Sequence, residues 1–220
     1  GFHLAIAYSC TFTQNSACGN TGVGFYAENC SDLKLDTNTV NGNTNKGVDL
    51  ENAVKNSRIS GNTIYGNSLD GLTLANSSDT NTVIANEIRG NGACGVVIYD
   101  ADTNLLQDNR IETNVTDGIW FGNWSEDNII VHNLIRKNGR YGIDLYQSQT
   151  WTTVEANEIV ENDSYGVKLG WSAIDVTVSK NNVLPTDGTL PGIFADHQAG
   201  KCTEVRNWYG TTDTSVIWSY

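Results

Sequence analysis

One asparagine returns along this chain at a nearly constant interval. Asn38, Asn62, Asn86, Asn109, Asn133, Asn157 and Asn181 are spaced by 24, 24, 23, 24, 24 and 24 residues. Two positions after each stands a branched aliphatic residue: Val40, Ile64, Ile88, Ile111, Ile135, Ile159 and Val183. Five positions after comes a second asparagine row, Asn43, Asn67, Asn91, Asn114, Asn138 and Asn162. Nine positions after is a glycine, Gly47, Gly71, Gly95, Gly118, Gly142 and Gly166, and an apolar–x–apolar triplet follows each. A third short apolar run precedes the next asparagine, as in TVIAN, IIVHN and TVEAN.

Periods of 20–50 residues belong to stacked repeats, in which each unit buries its apolar face only against its neighbours. Each unit here holds three short strands and no segment with helical periodicity. Three strands and three turns close one triangular coil, and successive coils stack as parallel strands about 4.8 Å apart. The expected fold is therefore all-β: one solenoid domain over residues 1–220, of about eight 24-residue coils. Its first coil (1–37) and its last coils (181–220) read as irregular, with regular coils over 38–180. The rod would be on the order of 35–40 Å long. Cys10 reads into the first asparagine column and Asn15 into the second, with about three extra residues before GVGF (22–25). The asparagines are expected at corners, tolerating a left-handed backbone and bonding along the stack. The glycines mark a turn that excludes Cβ or needs positive φ.

Composition narrows the partners. A formal charge of −12 with 13 Lys plus Arg lacks the clustered cations that phosphate binding needs, so no nucleic acid is expected. No apolar run reaches the roughly 18–20 residues of a membrane span. GFHLAIAY is too short and has no basic flank to be a signal peptide. Met is absent even at position 1, which reads as a chain processed or cut from a longer precursor. The ends show no capping helix, so either more chain or another subunit is expected to cover them.

The pattern N-x-I-x-x-N-x-x-x-G-I-x-L at this period resembles the right-handed parallel β-helix repeat. That repeat is shared by NosD-like periplasmic proteins, mannuronan C-5-epimerases and the wider pectate-lyase superfamily of solenoids. RNWYGTTDTSVI (206–217) is similar to a stretch that closes such solenoids in secreted proteins. The resemblance implies a secreted or cell-surface location and an active groove along the outward residues of one sheet. The outward column after the glycines reads Asp49, Thr73, Val97, Trp120, Asp144 and Lys168. Two residues on come Glu51, Ala75, Tyr99, Gly122, Tyr146 and Gly170. Trp120, Tyr99 and Tyr146 suit contact with sugar faces, or stack as a ladder that only stabilises the sheet. Asp144, Lys168 and Tyr146 are the candidate catalytic residues, since a carboxylate beside a lysine can neutralise a uronate and assist removal of its α-proton. The alternative is a surface ion pair worth about 0–1 kcal/mol. In YGIDLYQSQT, Tyr141, Gly142, Ile143 and Asp144 match a mannuronan-epimerase rung, but Leu145 and Tyr146 stand where that family has Pro and His. The Gly-His-Gly and Arg-Ile-Lys elements of pectin hydrolases and the Arg motifs of pectate lyases do not occur.

No metal site is expected. His3, His132 and His197 have no ligand spacing, and no calcium motif occurs, so calcium is unsupported and no cofactor is implied. DAD (100–102) and SED (125–127) read as turns one coil apart. Of five cysteines, Cys18 and Cys30 are the disulfide candidate, Cys10 is expected to be a buried thiol, and Cys94 and Cys202 are too far apart to pair. Five N-x-S/T sequons, at Asn29, Asn76, Asn114, Asn123 and Asn162, would be accessible to glycosylation in an exported chain. Two functional readings follow. One is a non-catalytic extracellular or cell-surface solenoid that touches glycans and stacks end to end into filaments. The other is a polysaccharide lyase or C-5-epimerase working along the Trp120–Asp144–Lys168 face.

Overall fold

The computed structural model describes residues 1–147, 150–184, 190, 192–196 and 199–209, with the backbone of 185, 217 and 218. His197 and residues 210–216 of the closing stretch lie outside them. Among the described residues every regular element is a strand, in three parallel sheets of ten, nine and eight strands. One coil runs Val96–Tyr99 in the first sheet, Leu105–Gln107 in the second and Arg110–Glu112 in the third. Strands pair in register with their counterparts one repeat later, Val96 with Ile119, Leu105 with Ile129, Arg110 with Leu134, with one slip between Val160 and Asn162 against Asn182–Pro185.

Side chains alternate across each strand. The aliphatic member after each first-row asparagine points inward, as do both members of each post-glycine triplet. Ile64, Ile88, Ile111, Ile135 and Ile159 are fully buried, with Leu72/Leu74, Ile119/Phe121 and Ile143/Leu145 beside them and Ile59, Val83, Leu106, Ile130 and Val154 from the second sheet. Each such side chain contributes about 1.5–3 kcal/mol.

The asparagines work differently from the expectation. The left-handed residue is the one before each asparagine: Thr37, Gly61, Ala85, Asp108, His132, Ala156 and Lys180 in the first row. The asparagine side chain itself turns inward and stitches coils. Asn133 donates its backbone N–H and its Nδ2 to Asn157 Oδ1 (2.8 and 3.0 Å), and Nδ2 also donates to Leu106 O (2.9 Å). A buried amide with every group engaged avoids the penalty of an unmade bond. A third ladder escaped the sequence reading: Ser57, Asn81, Asn104 and Asn128 pass the same backbone bond from coil to coil. The glycine row needs space alone. A Cβ on Gly118 would lie 2.5 Å from Ile135 Cγ2 and 2.6 Å from Gly142 O.

The first coil also departs from its expected register. Asn15 and Asn20 head the two ladders, donating to Asn38 and Asn43, and Ser16–Cys18 pairs directly with Thr39–Asn41. Cys10 therefore stands outside the two rows read from the sequence, in the column of Ser57 and Asn81, and is partly buried. All five cysteines are free. The Cys18–Cys30 bridge does not form, because Cys18 is exposed on the third sheet while Cys30 is buried past the first, bonded to Ala7 N and Glu28 O. Of the sequons, Asn114 and Asn162 are buried ladder members, so only Asn29, Asn76 and Asn123 reach the surface. No helix of the described residues is long and apolar enough to cross a membrane.

Candidate functional site

The outer face of the first sheet carries one residue per coil in strict register: Tyr26, Asp49, Thr73, Val97, Trp120, Asp144, Lys168 and Phe194. The structure thus brings the predicted Asp144 and Lys168 together, with Nζ 3.3 Å from Asp144 Oδ1. It also stacks the predicted aromatics. Tyr99 and Trp120 lie with ring centroids 6.3 Å apart, and Trp120 and Tyr146 6.1 Å apart. Trp120 folds across Gly122, where any Cβ would collide with the indole, so that glycine lets the ring lie against the sheet. Tyr99 and Tyr146 remain 36% and 48% exposed.

Asp144 points outward from the sheet yet has no accessible surface. Arg140 and Lys168 hold it, Arg140 Nη2 donating to Oδ2 at 3.3 Å. Arg140 also clasps the fully buried Asp117 through both nitrogens, with Nε donating at 2.8 Å, and Asp117 Oδ1 accepts the Tyr141 backbone N–H at 3.0 Å. The Lys168 ammonium sits 5.2 Å from the ring centres of both Tyr141 and Tyr146. Burial pushes the Asp144 carboxyl up to about 6; Lys168 and Arg140 pull it down and Asp117 opposes them. The hydrogen bond to Asp117, helped by that carboxylate's charge, holds the Arg140 guanidinium above its ordinary range. Beside this network a pocket of about 340 Å³ opens between Trp120, Val97, Cys94, Asp70 and Arg140. Burial lifts the Cys94 thiol to about 12, so at neutral pH it is a protonated wall of that pocket rather than a nucleophile.

A second centre lies further along the same face. Lys46 Nζ meets Asp49 Oδ1 at 2.9 Å and Glu51 Oε1 at 3.2 Å. Asp49 is 5% exposed, and burial raises it to about 6 against the pull of Lys46. Sequence reasoning missed Lys46, Asp70, Asp117 and Arg140, took Cys94 only as an unpaired thiol, and named Tyr141 only as part of the epimerase-like rung. All but Arg140 occupy the position just before a row glycine, which carries a polar or aromatic side chain in every coil; that regularity was the available signal.

The arrangement offers exposed aromatic faces, a guanidinium and an ammonium, and carboxylates shielded beneath them. Such a surface binds rings with apolar faces and hydroxyl or carboxylate rims. Asp144 has no path to a bound molecule except through Lys168 and Arg140. Among the described residues no group of three or more His, Cys, Asp or Glu is placed to hold a metal ion. Asp102 and Glu126 are turn residues; Asp102 accepts the Glu126 backbone N–H at 2.8 Å.

The model of the right-handed beta helix region matches residues 1–88 and 58–183, most of the chain. The protein belongs to this β-helix family. Comparison with curated protein sequences finds no match. Among solved structures, this β-helix is similar to the periplasmic alginate epimerase AlgG, with 20% identity and a TM-score of 0.77 over 85% of this chain and 47% of that one. It thus spans about half the length of the epimerase. An alginate lyase from Paenibacillus sp. str. FPU-7 aligns at 12% identity and TM-score 0.76, over 99% of this chain and 91% of the lyase. PfbA, a surface adhesin of Streptococcus pneumoniae, aligns at 12% identity and TM-score 0.74, over 94% and 60%. At identities this low the likeness is one of fold, and function must be argued from the site.

Proposed function

We propose that this β-helix is a carbohydrate-contacting solenoid that works outside the cytoplasm and holds an acidic polysaccharide along the outer face of its first sheet. The observation that carries this reading is the strip Tyr99–Trp120–Tyr146, stacked along the solenoid axis beside the Arg140 and Lys168 cations. The rings supply flat apolar contact and the cations supply partners for uronate groups. A periplasmic epimerase, an alginate lyase and a surface adhesin among the structural neighbours support the location and the substrate class. Affinity electrophoresis through gels containing sodium alginate or polygalacturonate tests it: retardation of the wild type, lost in Trp120→Ala, is the expected result. Equal migration with and without polysaccharide removes the proposal.

A lyase or C-5-epimerase activity is the second reading, favoured by the Lys168 ammonium seated between Tyr141 and Tyr146. Lys168, not the enclosed Asp144, would then meet the uronate, and Tyr146 would exchange the proton. New absorbance near 230–235 nm, or solvent-proton exchange at uronate C5, should appear with wild type and vanish in Lys168→Ala. Binding without either signal leaves the solenoid a non-catalytic module. End-to-end contact between copies belongs to the same proposal, and light scattering that detects only monomers removes it.

A further inference from the structure

Two columns of residues approach each row glycine, and both stack from coil to coil. Asp70, Cys94, Asp117 and Tyr141 stand just before their glycines. One place earlier Ala93 donates its backbone N–H to Leu69 O, Thr116 to Ala93 O and Arg140 to Thr116 O. The two aspartates of the first column are set alike. Asp70 Oδ1 accepts the Cys94 backbone N–H at 3.0 Å, just as Asp117 Oδ1 accepts that of Tyr141 at 3.0 Å. They differ in one partner. Arg140 clasps Asp117 from the second column, whereas the same place beside Asp70 holds Ala93, which has no charge to give. Among the described residues Asp70 forms no ion pair. Lys46 acts on it electrostatically but is bonded to Asp49 and Glu51. Burial raises the Asp70 carboxyl above its ordinary range, as befits a shielded carboxylate with no cation set against it.

Asp70 also lines the pocket of about 340 Å³ beside Trp120, together with Val97, Cys94 and Thr116. The Cys94 thiol and the Thr116 hydroxyl lie 3.1 Å apart and bond each other. The Asp70 carboxylate is thus the charge in that lining left without a counter-ion. The volume is at the low end of ligand pockets, about 300–1,000 Å³, which suits one sugar ring rather than a chain. A carboxylate beside an indole ring holds an ammonium, by a charge-assisted hydrogen bond and by the ring's quadrupole.

We propose that Asp70 and Trp120 form an amine subsite, which takes the free amino group of a hexosamine ring in the bound glycan. This rests on the glycan reading above and narrows its substrate class: the polymer carries ammonium groups as well as carboxylates. The ligand's ammonium takes the place over Asp70 that Arg140 takes over Asp117. The pocket opens off the central ring of the Tyr99–Trp120–Tyr146 strip, so an amine borne directly on a sugar ring lying there reaches it. An acetylated amine brings no charge and leaves Asp70 uncompensated, so the subsite rejects it.

Isothermal titration calorimetry with tetramers of glucosamine and of N-acetylglucosamine, at mildly acidic pH where the free amines are charged, tests the proposal. Wild type should bind the glucosamine tetramer at least about tenfold more tightly, the worth of one hydrogen bond to a charged group. Asp70→Asn keeps the shape and the bond to Cys94 and should lose that preference. Ala93→Arg should lose it too, by setting a guanidinium over Asp70 as Arg140 is set over Asp117. The second variant leaves Asp70 in place, so it serves should the first unfold. Equal binding of the two tetramers by wild type, or a preference that survives both variants, overturns the amine subsite. Oligolysine that binds as tightly as the glucosamine tetramer, and depends on Asp70 in the same way, overturns it in favour of a peptide ligand. Retardation of wild type by alginate gels leaves the glycan reading standing in either case; a wild type that neither is retarded nor binds either tetramer removes both.

Discussion

Two aspartates on one sheet face, Asp49 and Asp144, reach the same lifted acidity by different construction. Asp49 is neutralised within its own coil, by Lys46 three residues earlier. Asp144 is neutralised across coils: Lys168 comes from the next, Arg140 from its own, and Arg140 in turn clasps Asp117 of the preceding one. The first centre could be lifted out with one coil, whereas the second exists only because three coils are stacked in register. A solenoid can therefore make a charged site locally or by stacking, and only the stacked one sits among the rings of Tyr99, Trp120, Tyr141 and Tyr146.

The largest test of this contrast is stability. Asp117→Ala should cost about 3 kcal/mol in urea unfolding, since it strips the buried partner from Arg140 and leaves the Tyr141 amide unbonded. Lys46→Ala should cost under about 1 kcal/mol, because Asp49 can take a proton instead. Equal losses would mean that both centres are local. Next comes binding: Trp120→Ala should lower affinity for polyuronate about tenfold, by lost area and stacking, while Tyr26→Ala should change it less than twofold.

Acidity gives a smaller effect with a definite sign. At neutral pH the two centres carry, by formal charge, two cations and two anions around Asp144 and one cation and two anions around Asp49. Protonation near pH 6 makes each more positive, so affinity for a uronate polymer should rise a few-fold from pH 7.5 to 5.5. Asp144→Asn should remove most of that rise, because it fixes the central charge, and Asp49→Asn the remainder. The same shifts bear on folding. Each folded carboxyl keeps its proton to about pH 6, and an unfolded one only to about 3.9. Their contribution to stability is thus present in acid and lost as pH rises from about 4 to 6; thermal melts of Asp144→Asn should show a weaker fall over that window. Smallest is Thr73→Val, which should stabilise the fold by up to about 1 kcal/mol by removing an unpaired hydroxyl.

The coil count, the inward rows, and the meeting of Asp144 with Lys168 were legible because each follows from period and alternation alone. Register one repeat apart places residue 144 beside residue 168 whatever the turns do. The third ladder was hidden because only three of its members, Asn81, Asn104 and Asn128, are asparagines and Ser57 stands before them, and the hydrogen bond Ser57 makes is a matter of orientation rather than residue type. Arg140 and Asp117 were missed for a related reason. Their positions look like turn, and only the folded coil shows that Arg140, two residues before its glycine, reaches both Asp117 and the outer-row Asp144. The left-handed backbone also fell one residue early, on Thr37, Ala85 and His132, because hydrogen bonds to neighbouring coils hold ordinary side chains in a conformation that isolated turns reserve for asparagine and glycine. Cys18 and Cys30 are close in sequence, but the winding of the chain puts Cys18 on the third sheet and Cys30 in the corner after the first.

The stitching amides all point the same way. From Asn15 through Asn181, each first-row member donates its backbone N–H and its Nδ2 to the Oδ1 of the next, higher-numbered coil, whose asparagine oxygen always faces back down the stack. Their dipoles add instead of cancelling, which gives the rod a polarity along its length, and each bond strengthens the one after it. Any neighbour that extended this row would have to arrive in the same orientation; one meeting it reversed would set carbonyl against carbonyl or amide against amide.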